Sequence, residues 1–377
     1  MPFWFRRPFL ILRHLFTSRE RPDLHALARI EDPERFVWAI LPHAARTFSA
    51  CIALLPARSA ITAAVAYLYC RMLDTYEDLL PAGPARDASL RAFAARVEDV
   101  GQSGTLPTAP SIASSLAASF TMDERDRAHL LLVQRADLVD RVFLSFDSDA
   151  RRVVRDLVRD MADGMRWSSA TFERQGGILA DESQLLAYCR HVLGNPVVFG
   201  ARLVRLEYGS TPELSHEERE DAMRVGEMVQ LANITRDVEK DLRRGIAYDP
   251  LLRNDLLREN PGDPQLAERC RVVRERLLRL AVARVPAYRR VVDAMHLPRF
   301  SVARASAILM LLFTDRYFRG CARRAGLEAW DGPESTFGLY VRSIRASLSR
   351  RVLRRELLRV ERAFGAAATA ELGLLET

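Results

Sequence analysis

The sequence has few cysteines, and no arrangement of them suggests a site. Cys51, Cys70, Cys189, Cys270 and Cys321 are odd in number, scattered, and never form a C-x-x-C pair. This argues against a disulfide framework and a cysteine zinc site, and for a reducing, cytoplasmic setting. Long apolar runs are also missing. AILMLLF at 307–313 is one of the longer ones, well short of the ~18 residues that a membrane-spanning helix needs. Strand-like alternation between turn signals is scarce, and no internal repeat period is found. Lysine is far rarer than arginine, which suits phosphate binding and equally suits a GC-rich genome. No motif for nucleic-acid binding accompanies the net charge of +7, so no nucleic-acid partner is expected.

What is present is material for a large helical core. Hydrophobic residues make up 49% of the 377 residues, and charged residues 28%. Long stretches of helix formers carry apolar residues at three- and four-residue spacing. Breaks fall at GQSGTLPTAP (101–110), RQGG (174–177), YGSTPELS (208–215), ENPGDP (259–264) and WDGPEST (330–336). Ser215 with Glu218 has the spacing of a capping box opening a helix. The expected fold is all-α: a single-domain helical bundle over residues 31–325. A basic, aromatic segment at 1–30 precedes it, and an Arg-rich helical tail at 326–377 follows.

The two ends invite a membrane reading. MPFWFRRPFLILRHLF mixes large apolar residues with Arg6, Arg7 and Arg13. Such a segment lies on a membrane surface or packs as a terminal helix. From Val341 to Phe364, Ile344, Leu348 and Val352 recur at four-residue spacing among arginines. This predicts an amphipathic basic helix, either solvated or resting peripherally on a membrane.

Two acidic stretches carry the chemistry. In YLYCRMLDTYEDLL (67–80), Asp74 and Asp78 are four apart behind a buried-looking run. On a helix they share one face, about 6 Å apart along the axis. Two carboxylates there repel each other in a dry setting, and Mg²⁺ relieves that repulsion. Alone, D-x-x-x-D is also an ordinary exposed helix end. A second stretch, GEMVQLANITRDVEKDLRRGIAYDP (226–250), places Gln230, Asn233, Asp237 and Asp241 on one polar stripe. Arg71 adjoins the first face and Arg236 the second. Two such faces in an all-α chain suggest ionisation of a prenyl diphosphate, with the metal as Lewis acid and a dry apolar cavity behind it.

These motifs carry a family resemblance. DTYED (74–78) and QLANITRDVEKD (230–241), the latter followed by RRGIAYDP, look like the two aspartate motifs of the squalene/phytoene synthases. Upstream, LPHAARTFSACIALLP (41–56) resembles that family's opening helix. MADGM (161–165) and YCRHVLG (188–194) fall in the family's order. The resemblance spans roughly residues 36–320 and implies an isoprenoid synthase bundle with a central apolar cavity. It implies Mg²⁺ on Asp74 and Asp78 from one helix and on Asn233, Asp237 and Asp241 from the other. Arg46, Arg71 and Arg236 would hold diphosphate oxygens, with Tyr67 and Gln230 nearby and Phe48 lining the site. Without that context, Arg46 and Tyr67 would be a structural salt bridge and a core tyrosine. His191 falls where squalene synthases carry a tyrosine assigned to the cyclopropyl intermediate.

The chain departs from the pattern in other places too. Lys240 stands at the usual Glu position, with Glu239 shifted by one residue. VLGNPV (192–197) replaces the usual glycine-rich stretch, and Pro196 should kink or end its helix. FRGCARRAG (318–326) falls roughly where squalene synthases have a basic loop for NADPH, but the match is poor. The DTYED form favours farnesyl diphosphate as substrate. Geranylgeranyl diphosphate, as in phytoene synthases, is the alternative. A non-catalytic relative is the other class, and retention of Asp74, Asp78, Asn233, Asp237 and Asp241 speaks against it.

Overall fold

The structure is a computed structural model of the 377-residue chain. It describes residues 22–103, 107–110, 122–256, 263–295, 297, 301–324 and 335–373; side chains at 46–47, 100–103, 317–324 and 362–373 are not described. The N-terminal aromatic segment up to residue 21 and most of the 330–336 break lie outside these residues. So do the side chains of FRGCARRAG. Among the described residues there is no strand, only an isolated parallel bridge between Ile178 and Ala247.

The chain forms two compact units. The first comprises residues 1–169 and 199–213, the second residues 170–198 and 214–377. The first unit contains α1 (Leu24–Ala28), α2 (Pro33–Ala53), α3 (Ala57–Leu79), α4 (Pro84–Ser103), α5 (Glu124–Gln134) and α6 (Ala136–Leu144). It also holds most of α7 (Ser148–Arg174) and of α9 (Asn195–Glu207). The second contains α8 (Glu182–Cys189), a π-helical turn (Arg190–Gly194), α10 (His216–Arg243) and a 3₁₀ turn (Pro250–Asp255). After these come α11 (Pro264–Val282), α12 (Val285–Ala294), α13 (Val302–Arg324), α14 (Thr336–Leu348) and α15 (Arg350–Gly373).

In the first unit, α3 is the axis of the core. Leu68, Tyr69, Met72, Leu73 and Tyr76 are fully buried, as expected for the run ahead of the acids. One polar cluster is enclosed with them. The Tyr69 hydroxyl donates to Asp140 Oδ1 at 2.8 Å, and Arg96 holds both oxygens of Asp140, with Nη1 to Oδ1 at 3.1 Å. Asp140 is 0% exposed and Arg96 4%. A charge pair so far from water survives only with its hydrogen bonds satisfied. It locks α3 to α4 and α6. Tyr69 also packs edge-on against Phe93 and Phe143.

In the second unit, α10 is the central helix, packed by α11, α12, α13 and the π turn. It opens with the capping box expected from the sequence. Ser215 Oγ accepts from the Glu218 amide at 3.2 Å, and Glu218 accepts from the Ser215 amide at 2.8 Å. It closes at Gly245, whose φ of 77° few side-chain-bearing residues adopt. The π turn meets α10 through two glycines. A Cβ on Gly226 would lie 2.4 Å from Gly194 Cα, so only glycine allows this approach.

Two expectations are corrected here. Pro196 does not end its helix: it lies in the first turn of α9, directly after the π turn. The wider turn closes with Asn195 N–H donating to Arg190 O, so the ladder passes the residue that has no N–H. The basic tail is two helices, not one. Ser349 is extended at φ −151°, ψ 127° and separates α14 from α15. Ile344 and Leu348 therefore do not share a stripe with Val352.

Candidate active site

The first acidic face is built on α3. Arg71 reaches along the helix to Asp74, Nη1 to Oδ2 at 3.0 Å, and its Nη2 donates to the Tyr67 hydroxyl at 3.0 Å. The Arg71 guanidinium also lies 5.7 Å from the centre of the Tyr67 ring, and Phe48 packs against that ring at 5.9 Å. Phe48, Tyr67, Arg71 and Asp74 thus lie together. Arg46 is in α2, with its side chain outside the described set. Arg71 Nε is buried with no hydrogen-bond partner among the described residues. A buried donor left unmade is costly, and an anion would satisfy it.

Glu77 is an acid of the DTYED stretch to which no site role was assigned from the sequence. It stands three after Asp74, hence on the same face, and that spacing was the available signal. Burial, then repulsion from Asp74 and Asp78, pushes its carboxyl up to about 8, against Arg86 and a contact from Ser168. Burial also raises Asp74, with Arg71 opposing. Asp78 is exposed.

The second face is built on α10. Asn233 Nδ2 donates to Gln230 Oε1 at 3.3 Å, and Arg236 Nε donates to Asp237 Oδ1 at 3.0 Å while Nη2 takes Oδ2. Asp241 is pushed up to about 6 by burial and then by Asp237. Arg244, Lys240 and a hydrogen bond from Tyr248 oppose the rise. Tyr248 belongs to an aromatic trio that the sequence did not reveal. Its ring centre lies 5.3 Å from that of Tyr188 and 6.0 Å from that of Phe172, and the two tyrosine hydroxyls are 3.5 Å apart. The signal was the tyrosine in RRGIAYDP, whose partners Tyr188 and Phe172 sit far upstream in the sequence.

The departures from the motif have physical explanations. Glu239, turned away from the stripe, holds Arg274 of α11, whose Nε also donates to the Thr235 carbonyl at 3.1 Å. It ties helices together. Lys240 is exposed and is the only lysine in the chain. An arginine there could fork onto neighbouring carboxylates as Arg236 does, whereas an ammonium cannot. His191 is half-buried on the π turn, directly after Arg190, which binds Glu227 at 2.6 Å.

The donor chemistry of both faces fits a hard divalent cation. The oxygens are carboxylate and amide, and repulsion from neighbouring acids adds to burial in raising Glu77 and Asp241. Among the described residues no three His, Cys, Asp or Glu side chains form a metal cluster by themselves. This is consistent with Arg71 and Arg236 holding carboxylate oxygens. A separate cavity of about 890 Å³ lies in the second unit against Arg190, Arg224, Arg284 and Arg290. Glu220, Asp221 and Glu227 pair with these arginines, so its lining is an ionic network.

The squalene/phytoene synthase family model matches residues 41–330. The chain is 27% identical over 214 residues to squalene synthase of Schizosaccharomyces pombe, covering 55% of this chain and 42% of that protein. It is likewise 27% identical over 217 residues to lycopaoctaene synthase of Botryococcus braunii, covering 56% and 43%. The match therefore spans less than half the length of these relatives. Two solved ligand complexes of TcSQS share the helical fold. One has a TM-score of 0.67 at 18% identity, covering 90% of this chain and 92% of that one; the other scores 0.63 at 16%, with the same coverage. With both aspartate motifs on helices inside the matched region, the chain belongs to the squalene/phytoene synthase family.

Proposed function

We propose that the chain is a Mg²⁺-dependent head-to-head prenyl transferase. In this reading it condenses two farnesyl diphosphates through a cyclopropyl diphosphate to squalene or a related product. The observation that carries this reading is the acid–arginine pairing on each aspartate helix, Arg71 with Asp74 and Arg236 with Asp237. Asp74 and Asp78 would hold the metal on α3, and Asn233, Asp237 and Asp241 on α10. Mg²⁺ bound there supplies Lewis acidity to the departing diphosphate. Arg71, oriented by Tyr67, gives its unpaired Nε–H to a diphosphate oxygen, and Arg236 does the same once it releases Asp237. Phe48 and Tyr67 offer aromatic faces that favour an allylic cation over water.

His191 bears on the product. An imidazole exchanges protons near neutral pH, where a tyrosine does not. Beside Asn195 it favours water capture, so an alcohol or the cyclopropyl intermediate should accumulate beside any hydrocarbon. NADPH would be needed only for the reduced product. The test is incubation of the purified protein with Mg²⁺ and farnesyl or geranylgeranyl diphosphate, with and without NADPH. Products are then read by mass spectrometry. Phytoene from geranylgeranyl diphosphate as the sole efficient product moves the protein to that branch. Absence of diphosphate release from either substrate overturns catalysis.

A further inference from the structure

We propose that α14, with the start of α15, is a docking surface for an anionic membrane. The observation is an apolar stripe facing outward. Phe337 is 66% exposed, Leu348 58%, Ile344 44% and Val341 39%. They are four of the six large hydrophobic residues exposed among the described residues. At about 100° per residue they fall within an arc of roughly 60°, and they run about 16 Å along the helix. The other side of α14 is the packed one, with Leu339, Tyr340, Ser343, Ala346 and Ser347 buried. The stripe is therefore surplus to the core. A contiguous exposed apolar ridge marks an interaction surface.

Charge selects the occupant. Arg345 borders the stripe, and Arg351, Arg354, Arg355 and Arg359 are exposed at helical spacing on α15. Between Ser335 and Glu361 the only acids are Glu356 and Glu361. Both are taken: Glu356 binds Arg342 at 2.6 Å, and Glu361 binds Arg289 at 3.3 Å. The five exposed arginines have no ion-pair partner among the described residues. Several other arginines of this unit are matched, such as Arg269 with Asp255 and Arg290 with Asp221. A short apolar ridge beside unmatched charge of one sign has the chemistry of a helix lying in the interface of a negatively charged bilayer. A second copy of the chain would bring the same arginines against these, which disfavours a dimer through this face. The break at Ser349 gives the ridge and the basic helix separate axes.

The test is flotation of the full chain with vesicles of phosphatidylcholine alone, and of phosphatidylcholine with phosphatidylserine in equal parts. The expected result is binding to the anionic vesicles that salt weakens. I344E/L348E should reduce it at least about tenfold, and R345Q/R351Q/R354Q/R355Q by a similar factor. All six side chains are exposed, so circular dichroism and thermal melting should be unchanged. The proposal is overturned if the wild type stays with neither vesicle, binds both equally, or if I344E/L348E binds as the wild type does. It is also overturned if the lipid-free protein dimerises and I344E/L348E abolishes that dimer. None of these readouts uses prenyl transfer, so the surface and the activity stand or fall separately.

Discussion

The two aspartate helices meet the same electrostatic problem in different ways. On α3 the three acids are relieved by one arginine and by a proton: Arg71 takes Asp74, and Glu77 rises to about 8. On α10 the relief is cationic and aromatic: Arg236 covers Asp237, while Arg244, Lys240 and the Tyr248 hydroxyl oppose the rise of Asp241. Their anchoring differs too. Helix α3 starts without a side-chain cap and is held by the enclosed Arg96–Asp140 pair. Helix α10 starts in a capping box and is held by pairs with one water-accessible partner, such as Arg290, 45% exposed, with Asp221. Clustered carboxylates are thus tolerable by protonation or by counter-charge, and the two routes respond differently to pH and mutation.

The sharpest way to break the comparison is to remove one acid from each helix. Asp74→Ala and Asp237→Ala should each lower diphosphate release by roughly a hundredfold or more, the scale for losing one transition-state electrostatic contact, with unchanged circular dichroism. Full turnover by either variant removes that helix from the site. Next in size is the anchoring difference, read by urea denaturation. Asp140→Ala should cost about 3–5 kcal/mol, because Arg96 is left charged and enclosed. Asp221→Ala should cost about 1 kcal/mol, because water reaches Arg290. Equal losses would mean that burial is not what separates the two.

A smaller effect concerns protonation. Glu77 in the folded metal-free protein keeps its proton to about 8, against 4.5 for the free side chain. The unfolded chain therefore loses that proton first. Glu77's contribution falls as pH rises from 4.5 toward 8. The metal-free protein should melt at progressively lower temperature across that window, and Glu77→Gln should flatten the slope. A slope unchanged by Glu77→Gln would assign the effect elsewhere. The smallest change is Ser215→Ala, which removes half of the capping box of α10 and should cost about 1 kcal/mol. Melting of the variant within error of the wild type would show that tertiary packing alone sets that helix start.

Much of this was legible in the sequence. Four-residue spacing put Asp74 with Asp78, and Asn233 with Asp237 and Asp241, on helix faces, because helical periodicity is local. Ser215 and Glu218 revealed a helix start for the same reason. Glu239 was legible only as a shifted acid, since its partner Arg274 lies 35 residues away. The trio of Phe172, Tyr188 and Tyr248 was hidden because it joins three separate segments.

The helical class, the two acid stripes and the arginine beside each one could be read from the residues alone. These follow from side-chain chemistry repeated at the period of one helix. Which acid is enclosed enough to keep a proton, that Pro196 follows a π turn, and that Ser349 parts the basic tail came from the folded structure. It alone showed that Phe337, Val341, Ile344 and Leu348 face outward. Burial, and the charge that burial permits, depend on which helices pack against a face, and no stretch of sequence carries that information alone.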